Sequence, residues 1–244
     1  MTLLQATDVS KAFGGIQALN ACSISVDKGS ITGLIGPNGS GKTTLFNVMT
    51  GYERADAGTV SFNGADISRL GPDRIFGLGI GRTFQLTRIF PRLTVTENMH
   101  VAIKRKGGLG SLLGSWSASH EHSRALQLLQ FVGLTHLKDA PAGSLSYGQR
   151  KLLELAFILV AEPQMILLDE PAGGINPTLI GQLADRIREL NRQGVTFLIV
   201  EHNMEFVMGL CDKVMVMHRG AKLAEGAPAA VRANPAVLEA YLGD

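Results

Sequence analysis

Ile31-Thr32-Gly33-Leu34-Ile35-Gly36-Pro37-Asn38-Gly39-Ser40-Gly41-Lys42-Thr43-Thr44 is the stretch on which the fold turns. A short apolar run leads into a loop that fills every fixed position of G-x-x-x-x-G-K-[ST], and a helix then runs from Thr44 to Met49 and stops at Gly51. The glycines let the loop curl so that successive backbone N–H groups face one concavity, which binds phosphate oxygens. The helix N-terminus behind them adds about half a positive charge. Lys42 can reach the β- and γ-phosphates, and the Thr43 hydroxyl can ligate Mg²⁺. An ordinary glycine-rich turn has no need of both strand and helix, so this loop predicts a nucleoside triphosphate site.

On either side of that loop the chain reads as strands. Leu3–Val9 is a candidate strand, Ala21–Val26 alternates as a second, and Thr59–Phe62 precedes an Asn63-Gly64 hairpin signal. Met165–Leu168 and Val195–Val200 are apolar without alternation, the pattern of parallel strands covered on both faces. Lys213–Met217 and Ala221–Ala224 flank His218-Arg219-Gly220 as a closing hairpin.

Between the strand-rich segments the periodicity turns helical. Thr94 with Glu97 is a capping box, followed by Val95, Met99, Ala102 and Ile103 at helical spacing. Lys104 to Ser119 is rich in Gly and Ser and reads as a loop excursion, after which Ser123–Phe131 is helical again. Ser146 and Gln149 form a second capping box ahead of Leu152, Leu155, Ala156 and Leu159. Asn176-Pro177, an N-cap followed by proline, opens a helix with Ile180, Leu183, Ile187 and Leu190 inward.

Composition narrows the function. With 45% hydrophobic and 18% charged residues in 244, the chain can bury a sizeable core. Lys+Arg 23 against Asp+Glu 21 leaves +2, too balanced for a nucleic-acid binder that works by bulk charge. Cys22 and Cys211 have no metal or redox spacing, which fits a reducing compartment. No apolar run is long enough for a membrane-spanning helix, since Glu154, Glu162, Pro163 and Gln164 interrupt the best window.

Met165–Leu168 ends in Asp169-Glu170. Asp169 at such a strand end can meet the Mg²⁺ beside the phosphate loop, and Glu170 can orient or deprotonate a water aimed at the γ-phosphate. Leu145-Ser146-Tyr147-Gly148-Gln149 then resembles the signature pentapeptide of ABC-transporter ATPases, with Tyr147 where glycine is most frequent. Gln85 in Arg82-Thr83-Phe84-Gln85 is similar to that family's Q-loop glutamine, and His202 in Val200-Glu201-His202-Asn203 to its switch histidine. Pro171–Asn176 resembles the D-loop, with Asn176 in place of the usual aspartate and equally suited to capping a helix. The motifs occur in the family's order across the whole chain.

The resemblance implies a fold and a site. The fold is an α/β P-loop NTPase (RecA-like) core with an N-terminal antiparallel β subdomain and an inserted α-helical subdomain. Residues 1–93 and 163–226 make the core, 94–162 the helical signature subdomain, and 227–244 a short helical tail that folds back on it. ATP would be bound by Phe13 and by Gly36, Pro37, Asn38, Gly39, Ser40, Gly41, Lys42, Thr43 and Thr44. Ser146, Gly148 and Gln149 would meet the ATP held by a second ABC ATPase subunit, identical or paralogous. Glu170, His202 and Gln85 would serve catalysis, and Thr43, Gln85 and Asp169 would hold Mg²⁺. Phe13 would stack on adenine, the alternative being a core phenylalanine.

Arg82–Gln85 with Arg88-Ile89-Phe90, Leu93–Asn98, Gly174–Pro177 and the end from Gly226 to Gly243 resemble more narrowly the ATPases of branched-chain amino-acid importers. That implies an ATP-hydrolysing subunit peripheral to the cytoplasmic face of the inner membrane, docked on transmembrane permease subunits and served indirectly by a substrate-binding protein, with no nucleic acid. Relatives that carry urea or amides, or that extract lipopolysaccharide, and soluble ABC ATPases outside transport are the alternatives. Apolar Leu86, Ile89, Phe90 and Leu93 among Arg88 and Arg92 form either a permease-docking surface or plain core packing.

Overall fold

The computed structural model describes residues 1–83, 89–107 and 115–242. They form two units. One holds residues 1–82, 164–173 and 188–244, and the other 83–163 and 174–187. Residues 83–93, 163 and 174–187, which the sequence assigns to the core, group here with the helical unit, and the tail groups with the core. The sequence places a boundary where periodicity changes, whereas a unit is defined by which side chains share a core.

The first unit carries two sheets. β1 (Thr2–Phe13), β2 (Ile16–Asp27), β4 (Ala57–Phe62) and β5 (Ala65–Asp66) form an antiparallel sheet in the order β2-β1-β4-β5. The second sheet runs β10-β9-β3-β8-β7-β6, from β3 (Ile31–Ile35), β6 (Ile80–Arg82), β7 (Met165–Asp169), β8 (Thr196–Val200), β9 (Lys213–His218) and β10 (Ala221–Gly226). All its pairs are parallel except the β9–β10 edge hairpin. Every residue of β3, β7 and β8 is buried, which is why these strands read as unbroken apolar runs.

β8 lies between β3 and β7, with Leu34 opposite Val200 and Val200 opposite Asp169. The loops that follow the three strands therefore emerge side by side at the carboxyl edge of the sheet, where open α/β sheets bind ligands. Leu4, Leu19, Phe46, Met49, Leu198 and Met215 belong to one core under the loop-bearing helix α1 (Lys42–Met49). Each such burial stabilises by about 1.5–3 kcal/mol.

The strands β1 and β2 are longer than the alternation indicated. Asp8 and Ala21 take positive φ, and the pairing register shifts between Ala6 and Val9, so a bulge breaks the period of two. Among the described residues α2 (Pro72–Gly77), β6 and α7 (Met204–Leu210) escaped the sequence, each too short for a periodic signal. The tail forms two helices, α8 (Pro228–Arg232) and α9 (Pro235–Leu242), packed on β9 and β10.

In the helical unit, α3 (Val95–Gly107), α4 (Ser115–Phe131) and α5 (Tyr147–Leu159) pack together, and α6 (Pro177–Arg192) begins there. Helix thus covers both ends of the stretch read as an excursion, and residues 108–114 lie outside the described residues. The Thr94–Glu97 capping box forms, with the Thr94 N–H donating to Glu97 Oε2 at 2.7 Å. Buried Asn98 holds the residues before α3, accepting from Phe90 N at 2.8 Å and donating to Phe90 O and Thr94 O. Among the described residues no helix is long and apolar enough to cross a membrane.

Candidate active site

Gly36 leaves β3 with φ +151, and a Cβ there would stand 2.2 Å from Met217 O. Gly41 closes the loop at φ +99, where a Cβ would meet Ala18 O at 2.5 Å. Both positions are therefore closed to any side chain, and the loop's tight path follows. No side chain caps α1, and no acid sits in its first turn. Its N-terminal N–H groups are left for an anion. Asn38 and Gly39 are exposed at the loop tip, Thr43 is exposed at the helix start and Thr44 is half-buried beside it, while Pro37 and Ser40 are buried.

Lys42 is 5% exposed and donates to Gly36 O and Pro37 O at 2.8 Å and to Ser40 Oγ at 3.3 Å. Burial lowers its pKa, and the charges of Glu170 and then Asp169 pull it back up. The ammonium thus sits inside the loop with two carboxylates in range. A triphosphate bound there would face a desolvated cation, worth more than a solvated one.

Asp169 ends β7 with its carboxylate 3.7 Å from the Arg82 guanidinium. Arg82 also donates to Thr50 Oγ1 at 2.8 Å and lies over the rings of Phe46 and Tyr52, at 4.5 and 5.0 Å. Glu170 turns out of the strand in the left-handed region, φ +47, with its N–H bonded to Val200 O at 2.9 Å. Such a backbone costs a non-glycine residue about 1 kcal/mol or more and is held by its surroundings. The turn brings Glu170 Oε1 to 3.1 Å from His202 Nε2. A carboxylate and an imidazole in contact beside a phosphate loop can move a proton and hold a phosphate oxygen.

What holds that turn is Glu201, which the sequence reading passed over. It is 2% exposed, and its carboxylate accepts the N–H groups of Ala172 (2.6 Å), His202 (2.7 Å) and Asn203 (2.9 Å). One buried acid thereby ties the loop after β7 to the loop after β8. Arg82 was likewise read only as part of a motif. For Glu201 the signal available was an acid closing the apolar run Val195–Val200, the same signal that singled out Asp169, whereas Arg82 closes β6, too short to give one.

Phe13 ends β1 and is 44% exposed, so it is not a core residue; Lys11 Nζ lies 5.2 Å from its ring centroid. Its free face can take a planar ring. Gln85 lies outside the described residues. Lys42, Asp169, Glu170, His202 and Phe13 all belong to the first unit.

Ser146, Gly148 and Gln149 belong to the helical unit. Ser146 Oγ accepts from Gln149 N at 3.3 Å, and Gln149 Oε1 accepts from Ser146 N at 2.8 Å, so the capping reading of this pair is met. Gly148 is needed for packing, since a Cβ would stand 2.6 Å from Leu179 Cδ1. Asn176 caps α6 through Leu179 N at 2.9 Å.

Residues 19–173 match the family model described as ABC transporter, and residues 221–244 match one described as branched-chain amino acid ATP-binding cassette transporter. The chain is 43% identical to a probable branched-chain amino acid transport ATP-binding protein LivG of Archaeoglobus fulgidus, covering 100% of this chain and 96% of that protein. It is 36% identical to the high-affinity branched-chain amino acid transport ATP-binding protein BraF of Pseudomonas aeruginosa, over 99% and 98%. Among solved structures it is similar to the ADP conformation of an ATP-binding cassette of an ABC transporter, at TM-score 0.89 and 40% identity over 100% of both chains.

Proposed function

The chain belongs to the ABC transporter family and is one of its ATPases, and from that premise we propose that it powers an importer of branched-chain amino acids. The observation that carries the ATPase chemistry is the meeting of Lys42, Asp169, Glu170 and His202 at one edge of the parallel sheet, with Glu170 and His202 3.1 Å apart. The cargo rests on similarity along the full length, tail included.

In this reading the backbone N–H groups of residues 38–44 and the Lys42 ammonium cradle the triphosphate, and Phe13 stacks on the base. Glu170 accepts a proton from the attacking water, and His202 donates to a γ-phosphate oxygen. The oxygen donors Thr43 and Asp169 fit Mg²⁺, which favours one or two carboxylates plus phosphate oxygens over an all-protein cage. Bound there, Mg²⁺ would neutralise charge on the phosphates. Gln85, which lies outside the described residues, would contribute a further oxygen.

Two cassettes close on ATP, each presenting Ser146, Gly148 and Gln149 to the nucleotide on the other. Permease subunits ride on that cycle, fed by a substrate-binding protein, with the cassettes peripheral to the cytoplasmic face of the membrane. Glu170→Gln tests the chemistry. ATP affinity should stay within about threefold of wild type while turnover falls by about a hundredfold or more. Near wild-type turnover would remove Glu170 as the base.

A further inference from the structure

The turn of the β9–β10 hairpin reaches the phosphate loop from a distant part of the chain. The Gly220 N–H donates to Ser40 O of that loop at 3.0 Å, and Gly220 O accepts from Asn20 N of β2 at 2.9 Å. One buried residue thus joins the loop to the strand by two hydrogen bonds. Gly220 takes φ +80, and a Cβ there would stand 2.9 Å from Ala18 O and 3.1 Å from Asn20 N. Both are backbone atoms of β2, so a side chain at this position drives the strand away from the turn.

β2 is also the strand that returns from Phe13. Phe13 pairs with Ile16, Ala12 with Gln17 and Lys11 with Leu19, so Asn20 lies on the return arm of the hairpin that carries the exposed ring. The ring and the phosphate cradle therefore sit on separate segments, and the contacts between those segments fix how far apart they are. A nucleotide has a limited reach from base to phosphates, and it engages both ends fully only when that distance is held.

We propose that Gly220 is a positioning residue for the base of the nucleotide: its N–H and C=O, bonded to Ser40 and Asn20, set the distance between the phosphate cradle and the Phe13 ring. It acts through Phe13 rather than on the nucleotide itself. This rests on the reading of Phe13 as the base platform and of residues 38–44 as the phosphate cradle.

Gly220→Ala, Phe13→Ala and the double variant of the full chain test it, with Kd measured by calorimetry for ADP and for Mg²⁺-pyrophosphate, which has no base. Phe13→Ala should raise the Kd for ADP about tenfold. Gly220→Ala should raise it about fivefold, since misplacing the ring costs no more than losing it. Added to Phe13→Ala, it should change the Kd by less than about twofold, because no ring is left to position. Pyrophosphate affinity should stay within about twofold throughout. Unchanged ADP affinity in Gly220→Ala, an equal loss for ADP and pyrophosphate, or a Gly220→Ala effect that persists beside Phe13→Ala overturns the proposal. Wild-type ADP affinity in Phe13→Ala removes the stacking reading itself, and the positioning role with it. Should Gly220→Ala fail to fold, hydrogen exchange at the Asn20 amide decides: ADP should slow it in wild type but not in Phe13→Ala, and pyrophosphate in neither. Equal slowing by ADP in both proteins overturns the proposal.

Discussion

Glu201→Gln is the substitution that most directly separates a structural tie from a catalytic one. The wild-type carboxylate takes His202 N and Asn203 N on Oε2 and Ala172 N on Oε1. A glutamine has one acceptor oxygen. Placed at the Oε2 position it keeps two bonds, each weakened from charge-assisted to neutral by about 1 kcal/mol. Its NH₂ then opposes the Ala172 N–H, which breaks the third bond and buries two donors face to face, at about 1–2 kcal/mol. The sum is about 3–4 kcal/mol, or a melting temperature lower by roughly 6–16 °C for a chain of this size. The loop from Glu170 to Gly173 loses its anchor to the residue preceding His202. Turnover should therefore fall about tenfold or more, while ADP affinity, which depends on the untouched phosphate loop, stays within twofold. Differential scanning calorimetry, ADP titration and steady-state ATPase on one preparation read all three. A Glu201→Gln protein that melts and turns over like wild type would show that the three N–H bonds neither stabilise the fold nor align Glu170.

Two further outcomes follow from burial. Phe90 is 46% exposed and is held by its backbone to Asn98, so Phe90→Ser should change stability by less than about 0.5 kcal/mol and leave basal ATPase unchanged; a fall in transport and in ATPase stimulation by permease subunits would mark a docking surface, and a large drop in melting temperature would return Phe90 to the core. Burial raises the Cys22 thiol to about 11 and the Cys211 thiol to about 12, above the ordinary value of 9.0. Both stay protonated in the folded state, so iodoacetamide at pH 8 should label neither until the protein unfolds. The unfolded chain sheds these protons first, so their contribution to stability is present below pH 9 and is lost as pH rises toward 11–12. Labelling read by mass spectrometry and melts from pH 8 to 11 check both statements.

The parallel strands were legible because burial on both faces leaves a continuous apolar run, and Met165–Asp169 and Thr196–Val200 have nothing else in them. The hairpin around Gly220 and the two capping boxes were legible because they are local devices, complete within a few residues. β1 and β2 were read short where a bulge at Asp8 and Ala21 breaks the alternation, and α2, β6 and α7 are shorter than any period can register.

The same division runs through the site. Glycines at 36 and 41, a lysine and a hydroxyl at fixed spacing determine a phosphate cradle locally, since the curl of one short loop makes it. Asp169, Glu170 and His202 could be named from strand ends. Their proximity is a matter of strand order: β8 pairs between β3 and β7, which brings loops from distant parts of the chain to one edge. Glu201 stands at a strand end as Asp169 does, but its role could not be named from the chain alone. That role comes from the three backbone N–H groups, of Ala172, His202 and Asn203, that the folded core sets against its carboxylate.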